Sequence, residues 1–435
     1  MLALLVLAGL TAGTFYPLTL TVVLGNLPVK YVLLGIAMYS MDVVFTLNIA
    51  TSLEAWYINH WSWRWIFWNS AVLTPIMMML IYFGVPRQPL PKPKEGEPKP
   101  TWRGFFYAGL GFALLVVALD QGQRLNWMNS ATIIALVVTG FFLLLAATVH
   151  YLTLRHPLLN LNFLMRRNTM LLGLIVIFFE FSLLATILLL PNYLGSVQGY
   201  LPLQTGPVLL WVALPQCIFG LLAMYLLRYI DARLILTAGF TLIAIACVIN
   251  AQLSSAWSGA NFWLSQAIMA VGLALGFNAL VGAIVLEIIN SGALSRPIDS
   301  LTFAGCFQTV RLFGGQLGAA FMMHFLTVRE QFHSNILGLG VQRGDLATRQ
   351  RLFAWSAAMA PHSTGANMTT GRALGILGLQ VRQQAFTLAI TDSFLLVAFS
   401  AACCLMVVAC VSHVPTQYRA VVTATQAGPS KSEAR

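Results

Sequence analysis

Three ionisable residues fall within long apolar runs of this 435-residue chain: Asp42, Glu180 and Arg311. A charge at mid-bilayer costs roughly 2.5–3.5 kcal/mol on insertion scales, so residues of this kind mark ion or substrate pathways. Asp42 has Tyr39 three residues before it and Thr46 four after it. On a helix that spacing puts a phenol, a carboxylate and a hydroxyl on one face. Such a stripe suits a wetted cavity where the carboxyl takes up and releases a proton; a structural aspartate in a helix seam has the same pattern. Glu180 lies among Phe178, Phe179 and Phe181, with Ile177 and Leu184 on its face. It is either a proton or substrate site or a tolerated, uncharged passenger. Arg311 cannot discharge, so it must find an acid, a backbone carbonyl or an anionic substrate. Asp42 and Glu180 are the candidate counter-ions. Gln308 precedes Arg311 by three residues, and Gly314, Gly315 and Gly318 follow it.

The elements that must position these groups follow from composition. The chain is 58% hydrophobic and 9% charged, which excludes an ordinary soluble domain. A spanning helix needs about 20 apolar residues. Eleven such windows occur, near 2–24, 31–52, 65–84, 104–120, 130–152, 169–191, 205–227, 234–253, 262–285, 302–326 and 388–411. None has the period-two alternation of a barrel strand, so the expected class is an all-α, polytopic helical membrane protein. The six cysteines lie inside these runs without metal-ligand spacing and read as small core residues.

The net charge of +11 has no aromatic-interleaved basic patch, so nucleic acid is not an expected partner; the lipid bilayer is. Loops on one side carry Lys30, Arg87, Lys92, Lys94, Lys99, Arg103, Arg155, Arg166, Arg167, Arg228, Arg233 and Arg296, against Arg64 and Arg124 in the short loops opposite. The positive-inside rule makes the first side cytoplasmic, with Met1 outside and the carboxyl-terminal tail inside. An N-out first helix without a basic leader suggests truncation or a late-assigned start. Residues 85–103 are rich in Pro and charge and read as a semi-extended linker. Residues 329–387 read as an outer loop, with helical stretches near 345–359 and 375–387, a break at 362–371, and a hairpin lying on the outer face. Trp56, Trp61, Trp63, Trp65 and Trp68 suit an interfacial belt. Small-xxx-small pairs at Gly9 and Gly13, Gly272 and Gly276, and Gly314 and Gly318 predict close helix approach. Asp120, Glu287 and Asp392 lie at span ends and read as solvated, and His324 as an interfacial residue. No Walker motif, HExxH, GxSxG or paired-carboxylate arrangement occurs, so no enzyme is expected.

Several phrases carry a family resemblance from about residue 4 to 411: WSWRWIFWNS (61–70), LDQGQRLNWMNS (119–130), HPLLNLNFLMRRN (156–168), LLLPNYLGSVQGYLPLQTG (188–206) and FQTVRLFGGQLGAAF (307–321). Together they resemble the fourteen-helix drug:proton antiporters of the major facilitator superfamily, the EmrB/QacA type, joined at that family's fourth helix. The resemblance implies the superfamily fold with about eleven transmembrane helices. Its parts would be a partial bundle at 1–84, the linker, two central helices at 104–152, a six-helix bundle at 153–411 and a tail at 412–435. It implies a secondary transporter of the cell inner membrane that exports small amphipathic compounds by alternating access. Protons would be the coupling ion, with no other cofactor, and a periplasmic adaptor protein is an implied partner. RYIDAR (228–233) is similar to the family's gating loop, which makes Asp231 and Arg233 candidates for a cytoplasmic gate or for a plain solvated turn. Two departures favour the alternative of a non-transporting remnant or membrane interaction protein. The family's arginine ahead of Gly9 is Leu5, and its GPxxGG-like run reads LNIATSLEA (47–55).

Overall fold

The computed structural model describes residues 2–27, 29–85, 102–153, 165–290, 297–341, 345–359 and 366–411. Residues 86–101 of the expected 85–103 linker, the tail from 412, Arg155 and Arg296 lie outside them. All regular elements among the described residues are helical. Those used below are α1 (Leu2–Asn26), α2 (Val29–His60), α3 (Trp65–Gly84), α4 (Arg103–Gly122), α5 (Ala131–Thr153), α6 (Arg167–Leu184), α7 (Leu190–Ser196), α8 (Pro202–Leu227), α9 (Ala232–Asn250), α10 (Trp263–Asn290), α11 (Pro297–Leu339), α12 (Leu346–Met359) and α13 (Ala366–Cys410). This is what lipid demands, because no water is there to satisfy an unpaired backbone amide. Nine described stretches are long and apolar enough to cross a membrane. The two remaining expected windows lie in α2 and α11, the helices that carry Asp42 and Arg311.

The expected window at 169–191 is interrupted. A π-turn, Ala185–Leu189, joins α6 to α7, just ahead of Pro191. Proline has no N–H to give the preceding turn and its ring crowds the carbonyl four residues back, so the helix widens there and the span continues to Ser196.

Two seams explain how the helices come together. In the first, α9 packs on α10 with backbone against backbone: a Cβ at Gly239 would lie 2.6 Å from the Gly276 nitrogen and 3.1 Å from the Gly272 oxygen. In the second, α2 packs on α8, where a Cβ at Gly206 would lie 2.8 Å from Ser52 Oγ and 3.0 Å from Ser52 Cα. The LNIATSLEA segment has no glycine of its own, and the glycine that permits close approach sits on the partner helix. Between the seams lies the core, where Phe179 stacks on Phe277 at 4.7 Å and meets Phe240 edge-on at 6.4 Å. Gly9 and Gly13 differ from expectation. No described atom comes within 4 Å of a Cβ at either, because this stretch of α1 is exposed on every side.

The outer hairpin also differs. The 43 residues of α11 make a rod of about 65 Å, twice the thickness of a hydrocarbon core, and α13 has 45 residues. Residues 329–339 and 366–387 are thus continuations of spanning helices. Part of the expected Gly/Ser/Thr break, residues 366–371, is helical; α12 packs on α13, and Ala373 and Leu377 are buried. Of the cysteines, Cys247 and Cys404 are buried, whereas Cys217 and Cys410 are exposed and are not core residues.

Gly239→Ala would push a methyl group into backbone that cannot yield, and over-packing of this kind costs about 1–3 kcal/mol. Its apparent melting temperature in detergent is expected to fall. Gly276→Ala, whose methyl would meet Phe179 at 3.5 Å, should leave the melting temperature nearly unchanged. Equal losses in both would contradict the backbone-contact reading.

Candidate functional site

The residue beside Arg311 is Glu180. Arg311 Nε lies 3.5 Å from Glu180 Oε1, and the two side chains are 9% and 12% exposed, so neither is a solvated surface charge. That distance is longer than the 2.7–2.9 Å of a charge-assisted hydrogen bond, so the attraction is Coulombic. α6 presents Phe179 to the core and the adjacent Glu180 to α11. The glycines of α11 provide the seat: a Cβ at Gly314 would lie 3.0 Å from Ile177, at Gly315 3.3 Å from Glu180 Oε2, and at Gly318 3.1 Å from Phe181. Gly315 is the glycine against the carboxylate, and the small-xxx-small pattern alone did not single it out. Gln308, one turn before Arg311, is 5% exposed, and its Oε1 accepts no hydrogen bond among the described residues.

Asp42 and Thr46 lie on the exposed face of α2, where Thr46 Oγ1 donates to Asp42 Oδ1 at 3.3 Å. Tyr39 departs from that stripe, since its ring is buried with Val43 and Val44 in the apolar core. Asp231 and Arg233 meet at the start of α9. Asp231 Oδ1 accepts the Arg233 backbone N–H at 3.0 Å and so caps the helix, while Oδ2 accepts from Nε and Nη2 at 3.1 Å. Arg233 Nη1 also donates to the Val411 carbonyl at 3.2 Å, tying α9 to the end of α13.

Sequence reasoning missed a second charge cluster. Asp392 is paired as well as part-exposed: its Oδ2 accepts from Arg329 Nε at 2.7 Å and lies 2.6 Å from His333 Nε2. Arg329 also lies over the Phe332 ring at 4.7 Å. The available signal was the four-residue spacing of Arg329 and His333, which places both on one helical face only if α11 continues past residue 326.

Removing one member of a buried pair strands the other charge, at a cost on the order of 3–5 kcal/mol. Glu180→Leu and Arg311→Met should therefore each lower the apparent melting temperature sharply, and the double variant should regain most of the loss. Additive losses would show that the two charges do not interact.

Comparison with known proteins agrees with this architecture. The family described as Major Facilitator Superfamily matches residues 1–322. The chain is 24% identical over 408 residues to the fatty acid resistance protein FarB of Neisseria gonorrhoeae, covering 90% of this chain and 73% of that one. It is 25% identical over 402 residues to the multidrug export protein EmrB of Escherichia coli strain K12, covering 89% and 73%. To the probable multidrug resistance protein EmrY of the same strain it is 29% identical over 245 residues, covering 55% and 46%. With its apolar helices and a family match over well more than half its length, the chain is a multi-pass membrane transporter that belongs to the Major Facilitator Superfamily.

Proposed function

We propose that this chain exports amphipathic organic compounds across the cell inner membrane by alternating access, driven by proton entry, with its amino-terminal end outside and its tail in the cytoplasm. The observation that carries the reading is the desolvated Glu180–Arg311 pair between α6 and α11. Arg311 keeps its charge at any physiological pH, so a proton arriving at Glu180 changes the net charge of the pair by one. An added proton weakens the attraction across the α6–α11 contact, and its departure restores it. The contact can then have two states, biased by protonation on one side of the membrane and by bound substrate on the other. Asp42 and Thr46 lie on the exposed face of α2, and in this reading they line the wetted path. Asp231, Arg233 and the Val411 carbonyl tie helix ends on the cytoplasmic side and part when that side opens. The likeness to FarB, a fatty acid resistance protein, to EmrB, a multidrug export protein, and to EmrY, a probable multidrug resistance protein, supports an amphipathic cargo.

The full chain in lipid vesicles, loaded with ethidium or with a fluorescent fatty acid, provides the test. An imposed pH gradient should drive flux of at least one probe. Glu180→Gln should abolish the dependence on the gradient, and Asp42→Asn should reduce it. Gradient-independent leakage alone, identical in unaltered chain and variants, would favour the reading of a non-transporting membrane protein.

A further inference from the structure

The turn between α4 and α5 contains the only two non-glycine residues with positive φ among the described residues, Asn126 at 61° and Trp127 at 50°. Asparagine tolerates the left-handed region, but a bulky aromatic residue there is an outlier that surrounding contacts must impose. Those contacts run to α11. The Trp127 ring lies on the bare Cα of Gly122, where a Cβ would come within 2.6 Å of the indole. The ring edge meets His324 of α11, with centroids 5.8 Å apart at 77°. The indole N–H donates to Gln123 Oε1 at 3.1 Å, and Gln123 Nε2 donates to Thr327 Oγ1 of α11 at 3.0 Å. About three turns along α11, Phe112 of α4 also meets Phe313 at 5.4 Å, two residues from Arg311. α11 is therefore gripped on one side by α4 and its turn, and on the other by the Glu180 face of α6.

We infer that the 123–130 turn is a strained clip on α11, and that Trp127 is a positioning residue that sets how Arg311 is presented to Glu180. A glycine at position 127 would adopt the same backbone without strain, but it would carry no ring to rest on Gly122 and His324. The contact to α11 is what the strain maintains. The positioning half of the inference rests on the coupling role proposed above for Glu180 and Arg311; the clip itself does not.

Two readouts on the full chain in lipid nanodiscs and vesicles test it. The first is hydrogen exchange over residues 320–330, and the second is the pH profile of gradient-driven probe flux. Trp127→Gly and Gly122→Ala should both speed exchange over 320–330 and shift the pH profile. Trp127→Phe, which keeps the ring and loses the N–H, should stay close to the unaltered chain in both. Gln123→Leu should speed exchange without disturbing the turn's backbone, which guards against a variant that fails to fold. Unchanged exchange in Trp127→Gly overturns the clip, and faster exchange with an unchanged pH profile overturns the positioning role. If Glu180→Gln itself leaves the profile unaltered, the coupling reading has failed, and the exchange data alone decide whether the turn clips α11.

Discussion

An arginine that cannot lose its charge, with its side chain buried between helices, constrains everything around it. Arg311 must meet a compensating group without water, and the chain meets that demand with Glu180 from another helix. The pairing requires α11 to lie close to α6, which requires the glycines at 314, 315 and 318. It also requires α6 to keep a fixed rotation, and Phe179, wedged against Phe240 and Phe277, provides that from the opposite face. The π-turn after Leu184 then lets the same span pass Pro191 without disturbing the turns that hold the acid. α11 is held further along by α4 through Phe112, by the turn after α4 through Gln123, and by α13 through Asp392.

Much of this was legible in the sequence, and for a physical reason. Lipid forces each span to be apolar over about 20 residues, so the windows are visible without knowing their neighbours. Asp42, Glu180 and Arg311 stood out for the same reason. Their pairing was not legible, because Asp42 and Glu180 satisfy the charge requirement equally well until the fold selects one. Gly239 was invisible for a similar reason. It sits in no glycine pair, and its importance comes from backbone on α10. The helical stretches near 345–359 and 375–387 were legible, but the continuity of 329–339 and 366–387 with spanning helices was not, because polar and charged residues outside the bilayer look alike in a helix and a loop. Asp392, expected in solvent, turned out to be paired through one of those extensions.

Two departures from the resembling family take on a different weight in the fold. The 47–55 segment has lost the glycine and proline expected there, yet α2 still lies tightly on α8, with Gly206 rather than α2 giving the space for Ser52. Close approach at this seam therefore survives the change of sequence. The position of the resembling family's arginine, by contrast, is Leu5 in α1, a helix whose stretch from 6 to 15 is exposed. In the function proposed above, proton handling is assigned to Glu180 and Arg311 on α6 and α11.

The central claim is that Glu180 changes protonation as the transporter works. Infrared difference spectroscopy on the full chain in lipid vesicles, between alkaline and acidic buffer, reads a carboxyl directly. The account predicts a protonated-carboxyl band that appears on acidification, shifts when ethidium or a fatty acid is added, and is missing in Glu180→Gln. Identical difference spectra from the unaltered chain and Glu180→Gln would contradict it.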